Sequence, residues 1–175
     1  MLEAAARAAA RNPDIILAFD FGRRRIGVAA GNLVTRTASP LKTLETAGSL
    51  PWKEIDALVA DFEPGALVVG MPLPPAQRRH PARAQTSPEA RASAEPSAIE
   101  ERVRGFVAAL EARYGLTVAT VDESLTSREA ESEIREARRC GVLGRRAGKG
   151  GIDRRAACLI AEQWMSGEPR SRAPR

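Results

Sequence analysis

The chain has 175 residues, which suits one domain with a sizeable core and leaves too little for two ordinary domains. Hydrophobic residues make up 43% and charged residues 28%, proportions typical of a globular protein rather than a disordered one. The formal net charge is +5, and arginine supplies nearly all of the positive charge. Guanidinium groups suit phosphates, so an anionic partner is expected, although arginine used wherever lysine would serve explains the charge equally well.

Membrane and secreted classes are not indicated. No apolar run approaches the roughly 20 residues of a membrane span. The N-terminal residues lack the apolar centre of a signal peptide. Cys140 and Cys158 form no CxxC pair, as expected in a reducing compartment. We therefore predict a cytoplasmic protein with no membrane partner.

The first half of the chain predicts three strands, a helix and a fourth strand. Continuous apolar runs indicate buried strands at residues 15–19 and 26–30, joined by a hairpin through a basic turn. Thr and Ser suit an exposed edge strand around 34–40. Helical spacing of apolar residues predicts a helix over 52–62, and a further apolar run predicts a strand over 66–70.

The second half predicts a loop followed by helices and one more strand. Residues 74–97 are rich in Pro, Ala, Arg and Ser without a hydrophobic period, which predicts a mobile loop. Helices are predicted from Ile99 to about Gly115, from 126 or 127 to about 139, and from Ile152 to about Met165. A strand is predicted over 116–121, and residues 140–151 are predicted to be a loop. The domain organisation is then an N-terminal extension over 1–14, one α/β domain with a mixed sheet over 15–166, and a basic tail over 167–175.

Three carboxylates stand at predicted element ends. Asp20 ends the first buried strand, Glu123 follows another strand, and Asp153 lies at the predicted start of the last helix. Hard cations such as Mg²⁺ bind carboxylate oxygens together with phosphate oxygens and water. Each residue also has an ordinary explanation: a turn residue, an arginine partner and a helix cap, respectively. Spacing alone therefore does not establish a site.

Four motifs, in order, resemble those of the YqgF family, the pre-16S ribosomal RNA nucleases related to Holliday junction resolvases. They are ILAFDFGRRRIGVA at 16–29, VVGMPL at 68–73, VDESLTS at 121–127 and KGGIDRRAA at 149–157. The resemblance spans roughly Ile15 to Met165. It implies a ribonuclease H-like fold whose mixed sheet starts with an antiparallel hairpin and carries flanking helices.

The resemblance also implies a site and a reaction. Asp20, Glu123 and Asp153 would be the catalytic and metal-binding residues, holding Mg²⁺ or Mn²⁺ for phosphodiester hydrolysis. The substrate-binding residues would be Arg23, Arg24, Arg25 and Lys149, with pre-ribosomal RNA or branched DNA as the partner. Two departures from the family pattern affect expected substrate contacts. Ser124 stands where a basic residue usually follows the glutamate, and the stretch over 74–97 is longer and differently composed.

Other functions are less well matched. The segment over 144–151 fails the Walker A pattern twice, in its glycine spacing and in the residue after lysine. An actin-like ATP site generally needs two such domains, and this chain has room for one. A Holliday junction resolvase and a non-catalytic ribosome-assembly factor stay open as alternatives. Resolution of a junction needs two active sites and hence a homodimer, whereas RNA cleavage is also open to a monomer.

Overall fold

The protein is described by a computed structural model that covers residues 11–46, 48–71, 97–122 and 149–167. These residues form five strands and three helices. The strands are β1 (Asn12–Phe21), β2 (Arg25–Asn32), β3 (Thr37–Glu45), β4 (Pro64–Met71) and β5 (Val118–Asp122). The helices are α1 (Trp52–Phe62), α2 (Ala98–Tyr114) and α3 (Lys149–Gly167).

The five strands form one mixed sheet in the order β3-β2-β1-β4-β5. β1, β2 and β3 are antiparallel neighbours, while β4 pairs in parallel with both β1 and β5. The sheet therefore has an antiparallel start and a parallel second half. This arrangement confirms the predicted ribonuclease H-like fold class.

A tight hairpin joins β1 to β2. The backbone N–H of Gly22 donates to the carbonyl of Arg25 at 2.8 Å, which leaves Arg23 and Arg24 exposed at the turn. A Cβ at residue 22 would lie 2.8 Å from that same carbonyl oxygen, so glycine is the residue that lets the hairpin close. The predicted hairpin and its basic turn are confirmed.

Helices cover both faces of the sheet. One face packs against α1 and α2 through buried side chains of β1, β2 and β4, such as Leu17, Val28 and Leu67. The other face packs against α3, which contributes Ile160, Ala161 and Met165. The result is a three-layer domain in which alternate residues of each strand serve different helices.

The predicted bounds of α1 and α2 are close to those observed. α1 ends before Glu63, which adopts the left-handed conformation with φ 43°. α2 begins with a capping box between Ser97 and Glu100 and ends at Gly115, whose φ of 58° suits glycine. A capping box and a glycine thus fix the ends of α2, whereas α1 begins after Pro51 without a side-chain cap.

The bounds of three predicted elements need correction. β1 begins at Asn12, three residues before the predicted strand and within the residues assigned to the N-terminal extension. β3 covers Thr37–Glu45 rather than 34–40, because the Asn32 side chain accepts the N–H groups of Val34 and Thr35 and holds a turn there. The last helix begins at Lys149, so residues 149–151 are helical rather than the end of a loop.

Some predictions lie outside the described residues. These are the helix after residue 126, residues 140–148, and the predicted loop over 74–97 except Ser97. Within the part of the chain that the structure describes, none of the helices is long and apolar enough to cross a membrane.

Candidate metal and nucleic-acid site

Asp20 lies near the end of β1, on the face of the sheet that α3 covers. Ile16 and Ala18 belong to the cluster packed on α3, and side chains two residues apart share a strand face. Asp20 is partly exposed and pairs in register with Gly27 of β2. The Asp20 carboxylate therefore lies near the end of a central strand, where β1 pairs with β2.

Asp153 lies directly over Gly27, one strand from Asp20. A Cβ built on Gly27 would be 1.9 Å from the backbone oxygen of Asp153, so only glycine allows α3 to come this close. Gly31 of the same strand also faces α3, beside Met165. The strand pairing and this close approach bring the sequence-predicted Asp20 and Asp153 to the same corner of the domain.

The Asp153 carboxylate is only partly solvated. Its side chain is 27% exposed, and its Oδ2 is buried without a hydrogen-bond donor among the residues that the structure describes. Nη1 of Arg25 lies 3.5 Å from this oxygen. Burial raises the pKa of Asp153, while the charges of Arg25 and Arg154 act in the opposite direction.

A buried carboxylate oxygen without a donor fits a hard cation. Such oxygens are costly to leave unsatisfied, and Mg²⁺ or Mn²⁺ takes carboxylate oxygen as a ligand. No group of three potential ligand side chains occurs within the described ranges, where Asp20 and Asp153 supply two of the predicted three. Glu123, the predicted third, follows the last described residue of β5 and lies outside them.

The predicted substrate-binding residues differ in position. Arg23 and Arg24 are exposed in the hairpin turn that directly follows β1. Arg25 instead begins β2 and faces Asp153. Lys149 is the first residue of α3, and its side chain is not described. Two arginines are therefore open to phosphates beside the acidic pair.

Two features of the site were missed from the sequence. Asp153 is not at the helix start: it belongs to the second turn of α3, which begins four residues earlier, so the helix-cap interpretation is wrong. Gly27, which sets the distance between α3 and β2, was not singled out. The signal was the IGVA segment itself, where glycine interrupts an apolar strand.

A cavity of about 650 Å³ lies at the opposite end of the central strands, beside the beginnings of β1 and β4. Its charged lining is largely paired internally. Arg113 donates to both carboxylate oxygens of Asp56, and Arg11 donates to the Tyr114 carbonyl at 2.7 Å. These contacts tie α1, α2 and the residue before β1 together, so the charged groups that line this cavity have structural partners.

The strand order is the one expected of a ribonuclease H-like nuclease, and sequence comparison agrees. Residues 14–167 match the RuvX family, also called YqgF, which is described as Holliday junction resolvase. The match covers most of the chain, and the protein therefore belongs to this family, which is one of nucleases.

Relatives match over most of their own length. A protein of Marinobacter nauticus named "Putative pre-16S rRNA nuclease" is 39% identical over 150 residues, covering 85% of this chain and 90% of that one. A protein of the same name from Haemophilus ducreyi is 36% identical over 155 residues, covering 88% and 97%. Among solved structures, T. thermophilus RuvC in complex with a Holliday junction substrate aligns with a TM-score of 0.49 at 18% identity, covering 87% and 96%. The fold assignment depends on the observed sheet order and the family match.

Proposed function

We propose that this nuclease hydrolyses RNA phosphodiester bonds with Mg²⁺ or Mn²⁺ held by Asp20, Glu123 and Asp153. We further propose that it acts in the cytoplasm on precursor 16S ribosomal RNA, during maturation of the 5′ end. The observation that carries the metal site is the buried Oδ2 of Asp153, which has no hydrogen-bond donor within the described ranges. The names of the relatives favour the RNA substrate.

The residues near the acidic pair would divide the work. Asp20 and Asp153 would bind the cation, which supplies water activation and neutralises charge on the phosphodiester. Arg23 and Arg24 are exposed beside Asp20 and would hold phosphates of the flanking nucleotides. Contacts of this kind position the RNA backbone without reading the base sequence. The choice of substrate would therefore depend on the shape of the RNA around the site of cleavage.

Branched DNA is the second candidate, because the family is described as Holliday junction resolvase. Cutting both strands of a junction requires two active sites, so this function predicts a homodimer. RNA cleavage at a single position is open to a monomer. The oligomeric state measured on each substrate therefore helps to separate the two candidates.

The test compares cleavage of a labelled precursor 16S RNA fragment and a four-way DNA junction, each with and without Mn²⁺. Asp20→Asn is the active-site variant. Asp14→Asn is the matched control, because Asp14 is exposed on the same strand and undergoes the same chemical change. We expect Asp20→Asn to cut at least about a hundredfold more slowly than wild type, since even partners of metal ligands contribute about 10–100-fold. Asp14→Asn should cut normally.

The outcomes separate the candidates. Mn²⁺-dependent cutting of the RNA fragment but not of the DNA junction supports ribosomal RNA processing. Preferred cutting of the junction supports Holliday junction resolution. Binding without cutting by wild type would favour a non-catalytic assembly factor. Equal cutting by wild type and Asp20→Asn would reject the proposed metal site.

A further inference from the structure

Arg25 faces the acidic corner although it belongs to the basic sequence of the hairpin. It is the first residue of β2, and alternate residues of that strand, Gly27, Ala29 and Gly31, face α3. Arg25 shares this face, and its side chain is 31% exposed beside Asp153. Arg23 and Arg24 precede the strand and remain exposed in the turn.

The contact between Arg25 and Asp153 is a loose ion pair. The 3.5 Å between Nη1 and Oδ2 exceeds the 2.7–3.2 Å of an ordinary N–H···O hydrogen bond. Oδ2 accordingly has no hydrogen-bond donor in the described part of the chain. Arg25 therefore offsets the charge of the carboxylate without occupying its lone pairs, which remain available to another cation.

We infer that Arg25 is a positioning residue that holds the Asp153 carboxylate in the metal-free protein and yields it to the divalent cation. This inference rests on the proposed function, because it requires that Asp153 binds the metal. Arg25 and the divalent cation would compete for the Asp153 carboxylate, and two positive charges beside one carboxylate repel each other. Metal binding thus weakens the hold of Asp153 on Arg25.

The released guanidinium gains a second use. Arginine binds phosphate oxygens with a planar fork of donors, and Arg25 follows directly on Arg23 and Arg24 in the chain. With the metal bound, Arg25 contributes to RNA binding; without it, Arg25 is engaged by Asp153. Metal binding and RNA binding are therefore coupled through one side chain.

The first measurement is Mn²⁺ binding by isothermal titration calorimetry of the full chain. Arg25→Gln removes the competing cation, and we expect it to bind Mn²⁺ about tenfold more tightly than wild type. Arg24→Gln is the matched control: it makes the same change at the neighbouring exposed residue and should alter the Kd by less than about twofold because solvent screens its charge. Arg25→Lys keeps the charge and should stay within about threefold of wild type.

The second measurement is binding of a single-stranded RNA fragment by fluorescence anisotropy, in EDTA and with Ca²⁺ as a probe cation. Arg25→Gln should match wild type in EDTA and bind about fivefold more weakly with Ca²⁺, because only then does wild type use Arg25 for phosphate. Arg24→Gln should weaken binding by the same factor in both conditions. This contrast remains measurable even if the calorimetric change is small.

Asp153→Asn distinguishes failure of the inference from failure of the proposed site. If wild type binds Mn²⁺ and Asp153→Asn does not, the site stands, and equal or weaker Mn²⁺ binding by Arg25→Gln overturns only the role of Arg25. Equal weakening of RNA binding by Arg25→Gln in EDTA and Ca²⁺ also overturns it. If Asp153→Asn binds Mn²⁺ as wild type does, the proposed site fails and the inference fails with it.

Discussion

Replacing Gly27 with alanine tests how closely α3 must approach the sheet. The added Cβ would lie 1.9 Å from the Asp153 backbone oxygen, 2.4 Å from its carbonyl carbon and 3.1 Å from the Arg154 nitrogen. These are backbone atoms, so no side-chain rotation relieves the contact. Ordinary contact begins near 3.4 Å, which means that the start of α3 must move away by about 1.5 Å.

This displacement predicts a larger effect on catalysis than on stability. Misplacing a catalytic group by about 1 Å costs on the order of a hundredfold in rate, so we expect cleavage by Gly27→Ala to fall at least that far. Overpacking of a well-packed interior costs about 1–3 kcal/mol, which a domain of this size can tolerate. The variant should therefore be folded but nearly inactive.

Gly31→Ala is the control, because it adds the same methyl group to the same strand face. Its Cβ would meet side-chain atoms, Cγ1 of Ile16 at 2.8 Å and Cε of Met165 at 3.4 Å. Side chains can move, so Gly31→Ala should lose stability while keeping most of its activity. Urea unfolding and single-turnover cleavage with Mn²⁺ measure the two effects separately. Wild-type cleavage by a folded Gly27→Ala, or equal losses in both variants, would refute the reasoning.

Three further predictions concern the rest of the domain. Hydrogen bonds from Arg113, and to a smaller extent from Tyr114, hold the pKa of Asp56 at about 2, below its usual 3.8. The ionised Asp56 therefore stabilises the folded state fully above about pH 4, and this stabilisation is lost as the pH falls towards 2. Asp56→Asn should lower the Tm at pH 7 by only on the order of 2 °C, because the ion pair of Asp56 with Arg113 is exposed. A difference in Tm between the variant and wild type that stays constant down to about pH 2 would contradict this. Burial raises the pKa of the Cys158 thiol to about 11, so iodoacetamide should label it only after unfolding; peptide mapping that finds native labelling would argue otherwise. Phe106 is 1% exposed and packs against other aromatic rings. Phe106→Ala should lower the free energy of unfolding measured in urea by about 3–5 kcal/mol. A loss under about 1 kcal/mol would contradict the packing described.

Local sequence was enough to identify most elements of the sheet and its helices. The apolar run over 15–19 is short and continuous, which favours a strand buried between layers, and helical spacing defined α1 over Trp52–Phe62. Gly115 marked the end of α2 because glycine adopts the left-handed conformation without strain. Ordered motifs then identified Asp20 and Asp153 as candidate ligands through family resemblance, and the family match supports that resemblance.

Contacts between distant segments were decided by the tertiary structure. Glycine costs about 1 kcal/mol in a helix, so the sequence alone predicted a loop through Gly151, whereas packing of α3 on β2 keeps this turn helical. The pairing of Arg25 with Asp153 depends on which face of β2 Arg25 occupies, and a shift of one residue would turn it away. The sequence by itself determined the order of strands and helices and the positions of the acidic motifs, but not the bounds of β3 or the start of α3. Strand register and the approach of α3 over Gly27 decided that these two carboxylates and Arg25 lie at one corner of the domain, because no local pattern encodes a distance between segments far apart in the chain.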